Sequence, residues 1–153
     1  THERALGVAV GPIAVLLGMF TVGGSPNVAT GLLASVPIAI VLSFIGLAVD
    51  EFPDAEANLK KGVKSIAYKV WEYKFDLSTY IGIWFGILYT YQVFLVVIGI
   101  LTPLTGLSFL IVPLIMACLV MLKGSFERTT PVLVIAGALY SILLVVGQAL
   151  GGG

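Results

Sequence analysis

Long runs of apolar residues without charge dominate this chain of 153 residues. A transmembrane helix needs about 20 consecutive, mostly apolar residues. Five stretches come close to or meet that length, and none has an internal Asp, Glu, Lys, Arg or His. The sequence therefore predicts an all-α, multi-pass membrane protein with five transmembrane helices in one domain over 1–153. The predicted spans are residues 5–22, 28–49, 77–101, 104–122 and 130–150.

The composition excludes other classes of protein. Hydrophobic residues make up 59% of the chain, charged residues only 10%, and the mean hydropathy is +1.10. A soluble domain carries about 25% charged residues, so this chain could not cover a water-facing surface. An intrinsically disordered chain is also excluded, because disorder requires low hydrophobicity and high charge. A formal net charge of zero leaves no basic excess for nucleic acid, which we therefore do not expect as a partner.

The charged residues fall on one side of the predicted topology. With five crossings, Arg4, the 50–76 connection and the 123–128 connection share a side, and together they contain all the basic residues. The turns 23–27 and 102–103 lie on the other side and carry no charge. The positive-inside rule makes the charged side cytoplasmic. We therefore predict a cytoplasmic N-terminus and an external C-terminus, with membrane lipids around the helices.

The segment between the second and third spans predicts a cytoplasmic amphipathic helix over 54–75, lying in the membrane interface. Pro53 to Glu56 has the pattern of a helix start. One helix face is apolar and comprises Leu59, Val63, Ile66, Val70 and Tyr73. Residues suited to anionic headgroups or to a docking partner are Lys60, Lys61, Lys64 and Trp71. The alternative is a connector that only fills the gap between two spans.

The predicted spans lack the residues that most intramembrane chemistry uses. Proton relays need a buried carboxylate or His, hydrolytic triads need a His or Lys base, and haem usually needs a His ligand. The one His, His2, lies at the chain end, and the one Cys, Cys118, lies mid-span, where we expect it to pack. We therefore expect no catalytic residue, no metal site and no cofactor.

Small residues at four-residue spacing predict close helix packing. Glycine lets two helix backbones approach, either within one chain or between chains, and both alternatives stay open here. The pairs are Gly7 and Gly11, Gly82 and Gly86, and Gly147 and Gly151.

Polar groups lie deep in the third predicted span, at Tyr89, Tyr91 and Gln92. They need hydrogen-bond partners because unpaired polar groups are costly in an apolar medium. Gln148 in the fifth span could be one partner only if the helices are staggered. The aromatic face of the third span could line a quinone, lipid or solute site, or it could pack against neighbouring helices.

Prolines mark irregular points in the predicted spans. Pro12, Pro37 and Pro113 each remove one backbone hydrogen bond and so predict a kink. Thr130 before Pro131 predicts the N-cap and first helical position of the last span.

Two functions fit these features. The first hypothesis is a non-catalytic accessory or structural subunit of a larger integral membrane complex, of a respiratory, hydrogenase-like or oxygenase-like kind. Its partners would be other integral membrane subunits. The alternative is a small homo-oligomeric transporter or channel for a neutral or apolar solute, with Tyr89, Tyr91 and Gln92 lining the pathway.

Overall fold

A computed structural model of the chain describes Ile13, residues 28–62 and residues 76–151, which form helices and turns without any strand. Four helices are long and apolar enough to cross a membrane: α1 (Val28–Glu51), α3 (Leu77–Val97), α4 (Pro103–Leu122) and α5 (Phe126–Gly151). A short helix, α2 (Ala55–Lys60), follows α1. The all-α prediction is confirmed, and four such helices are consistent with an integral multi-pass membrane protein. Apart from Ile13, the predicted span 5–22 lies outside the described residues, as do Gly7, Gly11 and Pro12.

The long helices run antiparallel to their neighbours in the chain. The end of α1 also lies beside the start of α5, where the Phe52 and Phe126 rings are 5.9 Å apart. The start of α3 lies beside the end of α4, where Lys123 Nζ is 3.9 Å from Asp76 Oδ2. Every charged residue in the described part of the chain lies at this end of the bundle: Asp50, Glu51, Asp54, Glu56, Lys60, Lys61, Asp76, Lys123, Glu127 and Arg128.

The helix α1 changes geometry in its middle. It is α-helical over Val28–Ile40, π-helical over Val41–Gly46 and α-helical again over Leu47–Glu51. Single π turns are rare and often occur at functional sites. Pro37 lies inside the first α-helical part, one turn before the π turn.

The helix α4 begins as a 3-10 helix over Pro103–Ile111 and continues as an α-helix over Val112–Leu122. A 3-10 run of more than about four residues is uncommon. Pro113 has no N–H, so the Phe109 carbonyl accepts instead from the N–H of Val112, in the i to i+3 pattern of a 3-10 helix. This helix covers the predicted span 104–122, although its first half is wound more tightly than an α-helix.

Two helix ends differ from the predicted span bounds. The third span was predicted to continue to residue 101, but α3 ends at Val97 because the chain turns at Gly99, whose φ is +77°. Glycine adopts this left-handed conformation without the steric penalty of a side chain. The last span was predicted to start at residue 130, but α5 begins at Phe126.

Thr130 is consequently not an N-cap. Its hydroxyl donates to the Phe126 carbonyl at 2.9 Å, and the Thr129 hydroxyl donates to the Ser125 carbonyl at 2.6 Å. These bonds to the carbonyl four residues earlier belong to the inside of a helix. Pro131 lies in the second turn of α5 rather than at its first position.

The predicted interfacial helix is interrupted where the structure describes it. A helix does start at Ala55, next to the predicted start, but it ends at Lys60 and Gly62 follows with a φ of +74°. This left-handed residue divides the predicted 54–75 helix. Residues 63–75, with Lys64 and Trp71, lie outside the described residues.

Apolar side chains fill the bundle and also cover its outside. Cys118 is fully buried in the core, in the position expected of a packing residue. Large apolar side chains such as Val97, Leu110 and Val120 are at least 70% exposed. An outer surface of this kind suits lipid or another membrane helix. The core includes Ile45, Ile81, Phe85, Leu88, Leu95, Ile115, Leu133, Ala136 and Leu144.

Candidate functional site

The Gln92 side chain is a buried amide inside α3 and is only 1% exposed. Its Nε2 donates to the Thr105 carbonyl at 2.9 Å and to Ser108 Oγ at 2.8 Å. Its Oε1 accepts from Ser108 Oγ and from the Tyr140 hydroxyl, both at 3.0 Å. A side-chain amide has two donor hydrogens and two acceptor positions, and all four are used here. We call these four residues the Gln92 cluster.

The cluster joins three helices, because Gln92 is in α3, Thr105 and Ser108 are in α4, and Tyr140 is in α5. The side chains of Thr105, Ser108 and Tyr140 are fully buried. The 3-10 geometry aligns the two α4 residues, since side chains three residues apart are eclipsed at three residues per turn.

Tyr89 packs against the same cluster. Its hydroxyl donates to the Ser108 carbonyl at 3.0 Å. Its ring lies edge-on to the Tyr140 ring, with centroids 5.5 Å apart and an interplanar angle of 89°. On the other side it contacts the Phe109 ring at 4.6 Å. The structure thus brings Tyr89 and Gln92 together, since both side chains donate hydrogen bonds to Ser108.

Tyr91 and Gln148 have other partners. The Tyr91 hydroxyl donates to the Leu33 carbonyl in α1 at 3.3 Å. Gln148 Oε1 accepts from the Thr102 N–H at 2.9 Å, and the Thr102 hydroxyl donates to the Gly147 carbonyl at 3.1 Å. Gln148 therefore fixes the start of α4 against the end of α5 and does not bond Gln92.

The predicted glycine pairs play different roles. A Cβ added at Gly147 would overlap the Leu104 carbonyl oxygen and lie 2.7 Å from its carbon, and one added at Gly151 would overlap the Thr102 side chain. These two glycines let α5 approach α4 within the chain. A Cβ at Gly82 would make an ordinary contact of 3.4 Å with Leu119, and one at Gly86 would meet nothing within 4 Å.

A cavity of about 190 Å³ opens between the π turn of α1 and α5. Glycine allows the close approach beside it, since a Cβ at Gly137 would lie 3.0 Å from Val41 Cγ1. Engineered apolar cavities of about 150 Å³ bind benzene or xenon, so a slender apolar group would fit here. The lining residues are Val41, Leu42, Ile45, Gly46, Val49, Leu133, Val134, Gly137, Ala138 and Ser141.

One buried polar atom lies on the same π turn. Ser43 is 2% exposed, and its Oγ has no hydrogen-bond partner among the residues that the structure describes. Leaving a hydroxyl unpaired typically costs about 1–3 kcal/mol. Ser43 is not part of the cavity lining.

The predicted docking lysines lie at the charged end. Lys60 and Lys61 are both exposed, and Lys60 forms a surface ion pair of 3.4 Å with Glu56, four residues earlier. Exposed pairs of this kind contribute little to stability. Within residues 28–62 and 76–151, no three His, Cys, Asp or Glu side chains come together as a metal site would require.

The chemistry of the Gln92 cluster is that of a structural centre. It consists of an amide, hydroxyl groups and a backbone carbonyl, and these groups bond one another. Sequence analysis identified Gln92 but missed Thr105, Ser108 and Tyr140 as its partners. The available signal was the three-residue spacing of Thr102, Thr105 and Ser108, which matches a 3-10 helix.

Comparison with protein families, curated proteins and solved structures finds no match to this chain.

Proposed function

We propose that this chain is a non-catalytic subunit of a larger integral membrane complex. The observation that carries the proposal is the saturation of the Gln92 amide, whose four hydrogen bonds are all made inside the chain. A polar group used in this way holds three helices together and has no free position for a solute or a cofactor. The outer surfaces of the described helices are then available for contact with other chains.

The outer surface of α3 is the proposed contact with another integral membrane chain. Ile83, Gly86, Ile87 and Thr90 are exposed there, and the Thr90 hydroxyl is bonded to the Gly86 carbonyl at 2.8 Å. The missing side chain at Gly86 leaves open space beside the backbone. A second helix can approach closely at such a point, and its contact would be stabilised by van der Waals packing.

The proposal includes the topology of the whole chain. Residues 5–22 form a fifth span, the charged end of the bundle faces the cytoplasm, and the segment 54–75 lies at the membrane surface for docking. Cysteines introduced at Lys61 and at Ile98, in a Cys118→Ala background, test the orientation. An impermeant maleimide should label position 61 only from the cytoplasmic side and position 98 only from the other side. The reverse pattern would overturn the orientation, and a cysteine at Arg4 tests the fifth span.

The experiment on function is gentle extraction of the full chain from its native membrane, followed by native mass spectrometry. We expect stoichiometric recovery with other integral membrane subunits. Gly86→Leu should release the chain from them, whereas Ala117→Leu, which places the same side chain on the exposed surface of α4, should not. Recovery of the chain alone, as a monomer or homo-oligomer, would contradict the proposal.

The cavity between α1 and α5 favours a second candidate, a small homo-oligomeric carrier of an apolar solute. In that case the solute would contact Ala138 and Ser141 rather than Gln92, because these two residues line the cavity. Ala138→Phe should then abolish flux in liposomes while Ala149→Phe, on the exposed surface near the end of α5, leaves it unchanged. Equal flux in both variants would remove this candidate.

A further inference from the structure

We propose that the first half of α4, Pro103–Ile111, is a two-state element that Gln92 holds in its 3-10 form. Loss of the Gln92 hydrogen bonds converts this segment to an α-helix, which shortens and rotates it. The proposal goes beyond the proposed function and does not depend on it.

The segment carries two overlapping patterns, and each suits one helix geometry. Thr105, Ser108 and Ile111 recur every three residues and are the buried residues of the segment, as a 3-10 helix requires. Leu104, Leu107 and Ile111 recur at steps of three and four, which is the apolar pattern of an α-helix. A chain with both patterns can turn either a polar or an apolar face towards the core.

The geometry of the two forms gives the size of the change. A 3-10 helix rises about 2.0 Å per residue and an α-helix about 1.5 Å, so nine residues would shorten by about 4.5 Å. The rotation per residue falls from about 120° to about 100°. With Ile111 held in place, Thr105 would turn about 120° out of the core, while Leu104 and Leu107 would come within about 40° of the core direction.

Side-chain donors from α3 hold the present form. Gln92 Nε2 donates to the Thr105 carbonyl and to Ser108 Oγ, and the Tyr89 hydroxyl donates to the Ser108 carbonyl. Conversion would pull these acceptors away and leave both Nε2 hydrogens of the buried Gln92 amide unpaired, with the Tyr140 hydroxyl still bonded to its Oε1, which is unfavourable. Replacing the amide by an apolar side chain removes this penalty and favours the face that presents Leu104 and Leu107.

The two ends of the segment are held differently. Its first end follows a turn in which Gly99 has a φ of +77°, and glycine can change its backbone angles more freely than other residues. Its second end is bounded by Pro113, beyond which Ser78 Oγ holds the Leu119 carbonyl at 2.6 Å. The second half of α4 is therefore fixed to α3, so a change in winding would displace the Thr102 end and break its hydrogen bonds to Gln148 and Gly147 in α5.

The test measures the length of α4 in lipid nanodiscs by pulsed electron paramagnetic resonance. Spin labels are placed at Pro103→Cys and Val120→Cys in the full chain with Cys118→Ala, since both labelled positions are exposed. Eight residue steps of the segment lie between the labels, so conversion should shorten the distance by about 4 Å. We expect this shortening in Gln92→Leu and no change in Val93→Leu, a control at the exposed neighbouring position.

Ser108→Ala is the second variant, because it removes one member of the Gln92 cluster with little change in volume. We expect part of its distance distribution to move to the shorter value. A folded Gln92→Leu chain with the parental distance would overturn the proposal. If Gln92→Leu does not fold, an unchanged distance in Ser108→Ala overturns it instead. A parental chain that already shows the shorter distance overturns it as well.

Discussion

The Tyr91 hydroxyl donates a hydrogen bond to the Leu33 carbonyl, which is the acceptor that Pro37 leaves without a helical donor. In a regular α-helix the N–H of residue 37 would bond to the carbonyl of residue 33, but proline has no N–H. A side chain from α3 therefore completes the backbone bonding of α1. The contact explains why a tyrosine deep in one span and a proline in another belong together.

This relationship predicts that the two residues are energetically coupled. Tyr91→Phe should lower the free energy of unfolding in mixed detergent micelles by about 0.5–1 kcal/mol, the usual range for such bonds in membrane proteins. In a Pro37→Ala background the alanine N–H can bond Leu33 itself, so Tyr91→Phe should then have a much smaller effect. A double-mutant cycle measures the difference.

Equal effects of Tyr91→Phe in both backgrounds would contradict the coupling. Tyr140→Phe, made in the same two backgrounds, is the control. Its hydroxyl bonds Gln92 instead of Leu33. Its effect should therefore be the same with proline or alanine at position 37.

Gly147 and Gly86 should respond differently to alanine. A Cβ at Gly147 overlaps the Leu104 backbone, which cannot move aside as a flexible side chain could. Gly147→Ala should lower the free energy of unfolding by about 1–3 kcal/mol, the range for overpacking. Gly86→Ala should change it by less than about 0.5 kcal/mol, since its Cβ meets nothing. Equal losses in the two variants would show that α4 and α5 are not in this close contact.

The sequence predicted the apolar helices well because a membrane span is an average over about 20 residues. The spans around Pro37 and Pro113 were found within a few residues of their observed bounds. Helix ends were less predictable, because a single residue decides them. Gly99 ends α3 through its backbone conformation, which the pattern of apolar residues around it does not reveal.

The Gln92 cluster could be predicted only in part. Burial of Gln92 in a span implies that it has partners, but their identity depends on how α3, α4 and α5 are staggered. The two leucines at positions 104 and 107 fit an α-helix, so the apolar pattern masked the 3-10 winding that turns Thr105 and Ser108 inward. The glycines show the same limit: four-residue spacing indicated close packing but did not distinguish contact inside the chain, at Gly147, from open surface, at Gly86.

Asp76 should stabilise α3 as an N-cap more than as an ion-pair partner. Its carboxylate accepts from the Ser78 N–H at 3.3 Å and from the Thr79 hydroxyl at 3.2 Å, while Lys123 lies 3.9 Å away and both charged side chains are largely exposed. Asp76→Ala should lower the free energy of unfolding by about 1 kcal/mol. Lys123→Gln should lower it by less than about 0.5 kcal/mol.

Asp76→Asn separates the two contributions, because asparagine also caps helices but carries no charge. All three variants are denatured in the same micelles. The free energy of unfolding of Asp76→Asn should be close to that of the parent chain. If Asp76→Asn, Asp76→Ala and Lys123→Gln instead lower the free energy of unfolding by equal amounts, the ion pair is the main contribution and capping is minor.

Gly99 lies in the turn between α3 and α4, and Gly106, inside the first half of α4, is its matched control. A Cβ would meet nothing within 4 Å at either residue, so neither alanine variant creates a clash with a neighbour. Of these two glycines, Gly99 has a left-handed backbone, with a φ of +77°, and Gly106 does not. A non-glycine residue in that conformation costs about 1–2 kcal/mol. Gly99→Ala should therefore lower the free energy of unfolding by about 1 kcal/mol, and Gly106→Ala should leave it unchanged or raise it slightly, because alanine reduces the freedom of the unfolded chain.

Asparagine tolerates the left-handed region better than alanine, so Gly99→Asn should recover part of the loss. If Gly99→Ala unfolds at the same denaturant concentration as Gly106→Ala, the turn does not hold Gly99 in this conformation, and α3 would be free to continue towards residue 101.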